Sequence, residues 1–246
     1  MEIPEYKNIY INEGGHFFYI STHQLVISII RIIINPKKKL NILDAGCGTG
    51  MLAKKLQRFG IVTGIDINIE ALKFARLRGI TVKKASIEKL PFKDGSFDVI
   101  VSIDVLTHRS IKNDLIPLRE FYRVLKPEGF LILRVSANSW LKLIHDKHVH
   151  MKHRYGKDEL FKKLKTAGFS ILKLSFINSI LFPPMILKYI LEKLVKPKVT
   201  KSAITKVNPT INNLLIKALR LESNIFIKIN IPFGIGLVAV AKKPKN

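Results

Sequence analysis

The sequence predicts an α/β protein, a doubly wound and mostly parallel sheet with helices on both faces. Three observations predict it. Short runs rich in Val, Ile and Leu alternate with segments whose apolar residues recur at helical spacing. One such run, Leu40–Ala45, breaks at once into glycines at 46, 48 and 50, and a helical pattern follows. The next run, Ile61–Ile65, ends in Asp66, as the first carries Asp44 near its end. In an open parallel sheet those carboxyl ends form the ligand-binding crevice.

The elements follow in order. A helical pattern from Gly14 to Ile34 runs up to Pro36, which stops it. Asn41–Ala45 reads as a strand, Thr49–Phe59 as a helix, Ile61–Ile65 as a strand and Ile69–Arg78 as a helix. Thr81–Ala85 is a short strand before a polar loop with Pro91 and Asp94-Gly95. Phe97–Ile103 is dense in Val, Ile and Phe, which predicts a strand buried on both faces. Lys112–Val124 is helical and ends before Pro127 and Gly129, and Phe130–Val135 is a strand. Lys157–Ala167 then reads as a helix closed by Gly168, and Phe169–Phe176 as a strand. Two amphipathic helices are expected at Met185–Leu194 and Thr210–Leu221, with a last strand at Ile235–Ala241.

The turn D-A-G-C-G-T-G carries the chemistry. Glycine has no Cβ and reaches positive φ cheaply, so this backbone can turn tightly and pass close to a ligand. The helix behind it would aim its N-terminal amides at that ligand. The spacing differs from the G-x-G-x-x-G of pyrophosphate-binding dinucleotide turns, which argues against a nicotinamide dehydrogenase. Asp66 is placed to accept hydrogen bonds from ribose hydroxyls. A glycine turn that binds nothing is the plainer alternative, and the two acids weigh against it.

Composition sets further bounds. The chain has 246 residues, 47% of them hydrophobic, which suits one domain. We divide it into a helical lid (1–39), a cofactor-binding core (40–136) and a substrate-side and C-terminal segment (137–246). Cys47 is the only cysteine, which excludes a disulfide framework and points to a reducing cytoplasm. Met1–Ile11 lacks the apolar core of a signal peptide. Lys and Arg total 42 against 18 acidic residues, a net charge of +24. Such a field favours phosphate-bearing partners or an anionic membrane surface, unless it is only a lysine-rich solvated background. No stretch reads as a membrane span: the least polar, Leu174–Leu187, is short and holds Pro183 and Pro184, though it could lie on a bilayer surface.

These residues resemble the class I S-adenosylmethionine-dependent methyltransferases. The likeness continues through Ala85–Phe92, Asp94–Ile100 and Arg119–Gly129, and spans about Leu40 to Val135. It implies a Rossmann-like, seven-stranded sheet whose last strand is antiparallel, with extra N-terminal and C-terminal helices. It also implies S-adenosylmethionine as cofactor. Asp44, Gly46, Cys47 and Gly48 would face its methionine part, Asp66 its ribose and Ile67 its adenine. Ser86 and Ile87 fall where the family usually has an acidic residue at the adenine amine, so Ser86 is a departure. Asp104 would lie where the cofactor and substrate pockets meet. Glu13–Tyr19, His153–Tyr155, Phe182-Pro183 and the ending from Pro232 are similar to a type 11-like subgroup that often accompanies surface-glycan genes. Thr22 or His23 stands where that subgroup usually has an arginine.

An oxygen nucleophile gains from a general base, and histidine suits that near neutral pH. His108 follows the fourth strand and His145, His148, His150 and His153 follow the fifth, on the ligand side of such a sheet. His108 and His150 are the candidate bases and His16 a lid residue, though any of them could be merely structural. Arg154 could meet an anionic substrate group or pair with a helix. The spacing H-D-x-H-x-H from His145 could hold a divalent ion, but such loops commonly lack preset geometry and no metal site is expected. The expected acceptor is a small molecule, a glycan or a lipid-linked group, in the cytoplasm or at its membrane surface. RNA is the alternative, favoured by charge, although Ser102-Ile103-Asp104-Val105 lacks the Asn/Asp-Pro-Pro-aromatic motif of base-amino methylation. A non-catalytic adaptor docking through Phe176–Lys198 is a third reading.

Overall fold

The structure is a computed structural model that describes residues 3–141, 146, 150–195 and 207–245. Its strands are β1 (Leu40–Ala45), β2 (Gly60–Asp66), β3 (Thr81–Lys84), β4 (Phe97–Ile103), β5 (Leu125–Ser136), β6 (Ser170–Ile177) and β7 (Gly236–Lys242). They form one sheet in the order β3-β2-β1-β4-β5-β7-β6. β1 pairs in parallel with β2 and β4, β2 with β3, and β4 with β5. β7 runs antiparallel to both β5 and β6, so the last strand is the inverted one, inserted between its neighbours. The order reverses between β1 and β4, which opens a crevice at their carboxyl ends.

The helices among the described residues are α1 (Ile3–Asn12), α2 (Phe17–Ile29, continued as a wider turn through Ile34), α3 (Met51–Leu56), α4 (Ile69–Leu77), α5 (Leu115–Val124), α6 (Lys157–Thr166), α7 (Phe182–Val195) and α8 (Pro209–Lys228). Strand alternation sorts the core into two layers. Leu43, Ala45, Ile100, Leu131 and Leu133 face α5 and α6 through Leu118, Phe121, Leu160 and Leu164. Ile42, Val99, Val101, Ile132 and Val240 face the other way, against Ile29 and Ile30 of α2, Leu56 of α3 and Phe226 of α8. β4 is thus buried on both faces, as its composition predicts.

Three expectations are corrected. The helical pattern read from Gly14 to Ile34 is α2 and its continuation, but a further helix, α1, precedes it and ends at Asn12, with a turn between the two. β-branched and aromatic residues hide α1 in a propensity reading, yet Tyr6, Ile9 and Glu13 are buried at helical spacing. Second, β5 starts at Leu125 and not Phe130, because Pro127-Glu128-Gly129 bulges within the strand, with Glu128 in left-handed backbone (φ 66°). Third, Phe17–Ile34 is long and apolar enough to cross a membrane by length and composition (mean hydropathy 1.7), which the reading of Leu174–Leu187 as the least polar stretch overlooked. Half of that window is buried, and α2 packs on the sheet and on α8 as a core helix does.

Candidate active site

The glycine turn leaves β1 with Gly46, Gly48 and Gly50 all at positive φ (88°, 51° and 83°). Gly46 and Cys47 N–H groups both donate to the Ile65 carbonyl at 2.8 Å, tying the turn to β2. A Cβ on Gly50 would strike Ala75 of α4, whereas one on Gly48 would meet nothing within 4 Å. The backbone at Gly48 therefore lines open space, where a ligand can approach. Cys47 turns its side chain the other way, among Leu72, Ala75 and Val82, and burial pushes its thiol far above the ordinary range. Only its backbone is left for a cofactor.

Asp66 caps the end of β2. It accepts from Gly48 N–H (3.1 Å) and Asn68 N–H (2.9 Å), which hold the carboxylate against the turn. Burial raises its pKa and those amides oppose the shift. Ile67 beside it is 51% exposed, an apolar side chain held at the crevice mouth. Asp44 is 3% exposed, and its Oδ2 is sealed without a hydrogen-bond partner. Burial first, then the Asp66 charge, push Asp44 up to about 7, while the Ala53 N–H pulls it down. A sealed, orphaned carboxylate oxygen is costly unless something polar arrives. An open glycine edge, that orphan and the Asp66 carboxylate together fit an amino-acid tail and a ribose.

Ser86 lies next to Asp66, since Ala85 N–H donates to the Asp66 carbonyl (3.1 Å). Its hydroxyl accepts from Glu88 N–H (3.1 Å). The Ile87 side chain is buried in the core, so of the two residues only backbone groups and the Ser86 hydroxyl can present to a base.

Asp104 follows β4 in left-handed backbone (φ 58°), with its N–H bonded to the Arg134 carbonyl (2.9 Å). Its carboxylate pairs with the Arg134 guanidinium, yet Oδ1 is sealed and unpartnered. Burial raises its pKa against the pull of Arg134 and Arg154. Arg134 is 2% exposed and lies under the Phe18 ring of α2, 4.8 Å from its centroid. That ion pair went unread, though a lone arginine within the apolar run Leu131–Val135 was its signal.

The chain's start closes over the same strand ends. Glu13 accepts from the Thr49 hydroxyl of the glycine turn and pairs with Arg78, both partners being almost fully buried. Arg78 also donates to the Tyr10 and Thr49 carbonyls (2.9 Å each). The Tyr6 hydroxyl of α1 is pushed up to about 12 by burial and by the Asp66 charge. His16 caps α2, its Nδ1 accepting from Phe18 N–H (3.3 Å), and it lines a cleft of ≈ 440 Å³ between the α1–α2 turn and the start of α8. Its ring stacks on Phe17 (4.5 Å) and meets Tyr19 edge-on (6.0 Å). Burial lowers its pKa. Of the two residues that could stand for the subgroup's arginine, His23 is buried with its Nδ1 3.2 Å from Lys55 Nζ, and the Thr22 hydroxyl is sealed without a partner.

The structure brings His108 and His150 together, with ring centroids 5.8 Å apart. Arg109 N–H donates to the His150 carbonyl (2.8 Å), and His150 takes left-handed backbone (φ 55°). Burial, then the neighbouring charges, hold His108 down to about 4, so it is neutral at physiological pH. Ser110 N–H donates to His108 Nδ1 (3.2 Å). The neutral ring therefore carries its proton on Nε2 and offers a donor there. His153 is bound to Glu159 (2.9 Å) and Arg154 bidentately to Asp146 (2.7 and 2.8 Å), so both are structural in this geometry. His145 and His148 lie outside the described residues. Among the described residues no group of three metal-ligating side chains occurs.

Comparison with known proteins supplies the family. The methyltransferase domain family model matches residues 43–133. An O-methyltransferase of ubiquinone biosynthesis from Nitrosococcus oceani is 30% identical over 172 residues, covering 62% of this chain and 71% of that protein. An uncharacterised protein of Methanocaldococcus jannaschii is 30% identical over 187 residues, 76% of each chain. In structure, a methyltransferase bound to the Trm112 activator from Haloferax volcanii aligns with a TM-score of 0.63 at 16% identity, over 99% of this chain and 95% of that one, which supports the fold. The chain belongs to the class I S-adenosylmethionine-dependent methyltransferases. It is an enzyme of that family, with S-adenosylmethionine as its methyl donor.

Proposed function

We propose that this methyltransferase acts on an oxygen of a small molecule, or of the sugar or lipid-linked end of a larger one, entering beside Asp104. The observation that carries this reading is the roof over the strand ends: Glu13 is bonded into the glycine turn and Phe18 covers Arg134. Such a roof suits a narrow acceptor better than a folded RNA. The relative named as an O-methyltransferase adds support for oxygen.

The donor's sulfonium supplies an electrophilic methyl group, so the protein's part is alignment, exclusion of water and removal of one proton. Asp44 and the Gly46–Gly48 backbone would hold the methionine end, Asp66 the ribose and Ile67 the adenine. His108, with its proton on Nε2, would donate to the acceptor and orient it. Proton removal would then fall to His150, the other ring of the pair. Under this reading His150→Gln lowers kcat by ~10²–10⁴-fold and leaves donor affinity unchanged. An unaltered kcat would remove His150 as the base.

Methyl transfer from labelled S-adenosylmethionine into cell extract, separated into lipid, glycan, small-molecule and RNA fractions, tests the acceptor class. Label in one of the first three supports the proposal, and label confined to RNA overturns it. RNA is the second reading, favoured by the net charge of +24. It requires RNA retention that falls steeply with salt.

A further inference from the structure

We propose that α7 and α8 dock this enzyme on an anionic lipid bilayer, with outward apolar stripes in the acyl boundary and flanking lysines at the phosphates. On a surface helix the apolar stripe normally faces the core. α7 does the reverse. None of its residues is buried, and Leu187, Ile190, Leu191 and Leu194 stand exposed at helical spacing, Leu194 by 74%. Phe182, Met185 and Tyr189 form its half-buried side, against Leu141 and Ile235. Lys188 and Lys193 fall on the edges of the outward stripe, with Lys193 Nζ 4.8 Å above the Tyr189 ring, the posture of a lysine lying along an apolar surface.

α8 repeats the pattern. Leu219, Glu222, Ser223 and Phe226 are buried, while Ile211, Leu214, Leu221 and Ile225 are exposed along an adjoining face, beside Lys217 and Lys228. Glu222 ties the helices together, accepting from Asn178 N–H, from the Ser179 hydroxyl (2.9 Å) and from Ile180 N–H (3.3 Å), just ahead of α7. Trp140 and Phe233, both about half exposed, meet Phe182 at 6.2 and 5.7 Å. Tryptophan rings are enriched at headgroup depth in membranes.

Charge selects the occupant. Between Asn178 and Asn230 the sequence holds nine Lys or Arg against two acidic residues, and one of those acids is the buried Glu222. Two copies facing each other through this surface would set like charges together, and lysine is depleted in protein interfaces. An anionic bilayer satisfies both the stripes and the lysines.

The test is flotation of the full chain with vesicles of phosphatidylcholine alone or with phosphatidylglycerol. The expected result is co-flotation only with phosphatidylglycerol, weakened by salt. It should be lost in Leu187→Glu/Leu191→Glu/Leu194→Glu, with S-adenosylmethionine affinity retained as the sign of an intact fold. Trp140 is the only tryptophan, so its emission in the wild-type chain should shift to the blue and be quenched by brominated lipid. Failure to float, flotation undiminished in the triple variant, or unchanged Trp140 emission would each overturn the proposal. So would a dimer in solution that the triple variant splits, without vesicle binding. Because these readouts need no methyl acceptor, they leave the acceptor assignment to its own test.

Discussion

Asp44 and Asp66 sit on either side of the glycine turn, and their shared field sets a pH dependence. Asp44 titrates near 7 in the folded chain, chiefly because it is buried, against ~3.9 when unfolded. Its proton is thus held more tightly by the native state, so the unliganded protein loses stability as pH rises from about 4 through about 7. Under the proposed placement of the donor, the ammonium of its amino-acid tail would reverse that preference by favouring the carboxylate. Donor affinity should therefore rise between about pH 6 and about pH 8, and Asp44→Asn should flatten the rise in calorimetric titrations. His108 obeys the opposite logic. Neutral above about 4, it should contribute no inflection to the rate near neutral pH. A kcat profile whose inflection near neutrality disappears in His108→Asn would contradict that.

At the scale of elements, α1 is fastened by chemistry and not by its helix propensity. Removing one partner of a buried ion pair typically costs about 3–5 kcal/mol, because the other charge is stranded. Glu13→Ala should therefore lower unfolding free energy by roughly that amount in urea titrations, since both Glu13 and Arg78 are almost fully buried. It should also expose Thr49 and weaken donor binding. In α2, Ile29 is fully buried against the sheet, and Ile29→Ala should cost about 2–5 kcal/mol by the same measurement. The anchoring of α1 was illegible in the sequence for a physical reason: Glu13, just past its end, is 36 residues from Thr49 and 65 from Arg78, and no local pattern encodes a bond over such a span.

Across the whole molecule, legibility follows sequence distance. Asp44, Gly46, Gly48 and Asp66 were readable because the turn and the strand end are each contiguous and their glycines answer to positive φ. The His108–His150 pair was foreseen only as two residues on one side of the sheet, and the 5.8 Å approach belongs to the fold. Arg134 under Phe18 joins β5 to α2 across more than a hundred residues and was not foreseen. The insertion of β7 between β5 and β6 likewise depends on long-range pairing, although its inversion was expected from family resemblance. We propose that S-adenosylmethionine binds in the crevice over Asp44, Gly48 and Asp66. Calorimetric titration of the donor into wild type, Asp66→Ala and Asp66→Asn tests it most directly. Saturable one-site binding to wild type is expected, weakened about 10–100-fold in both variants, the size of lost hydrogen bonds to a charged group. Undiminished affinity in Asp66→Ala would contradict it.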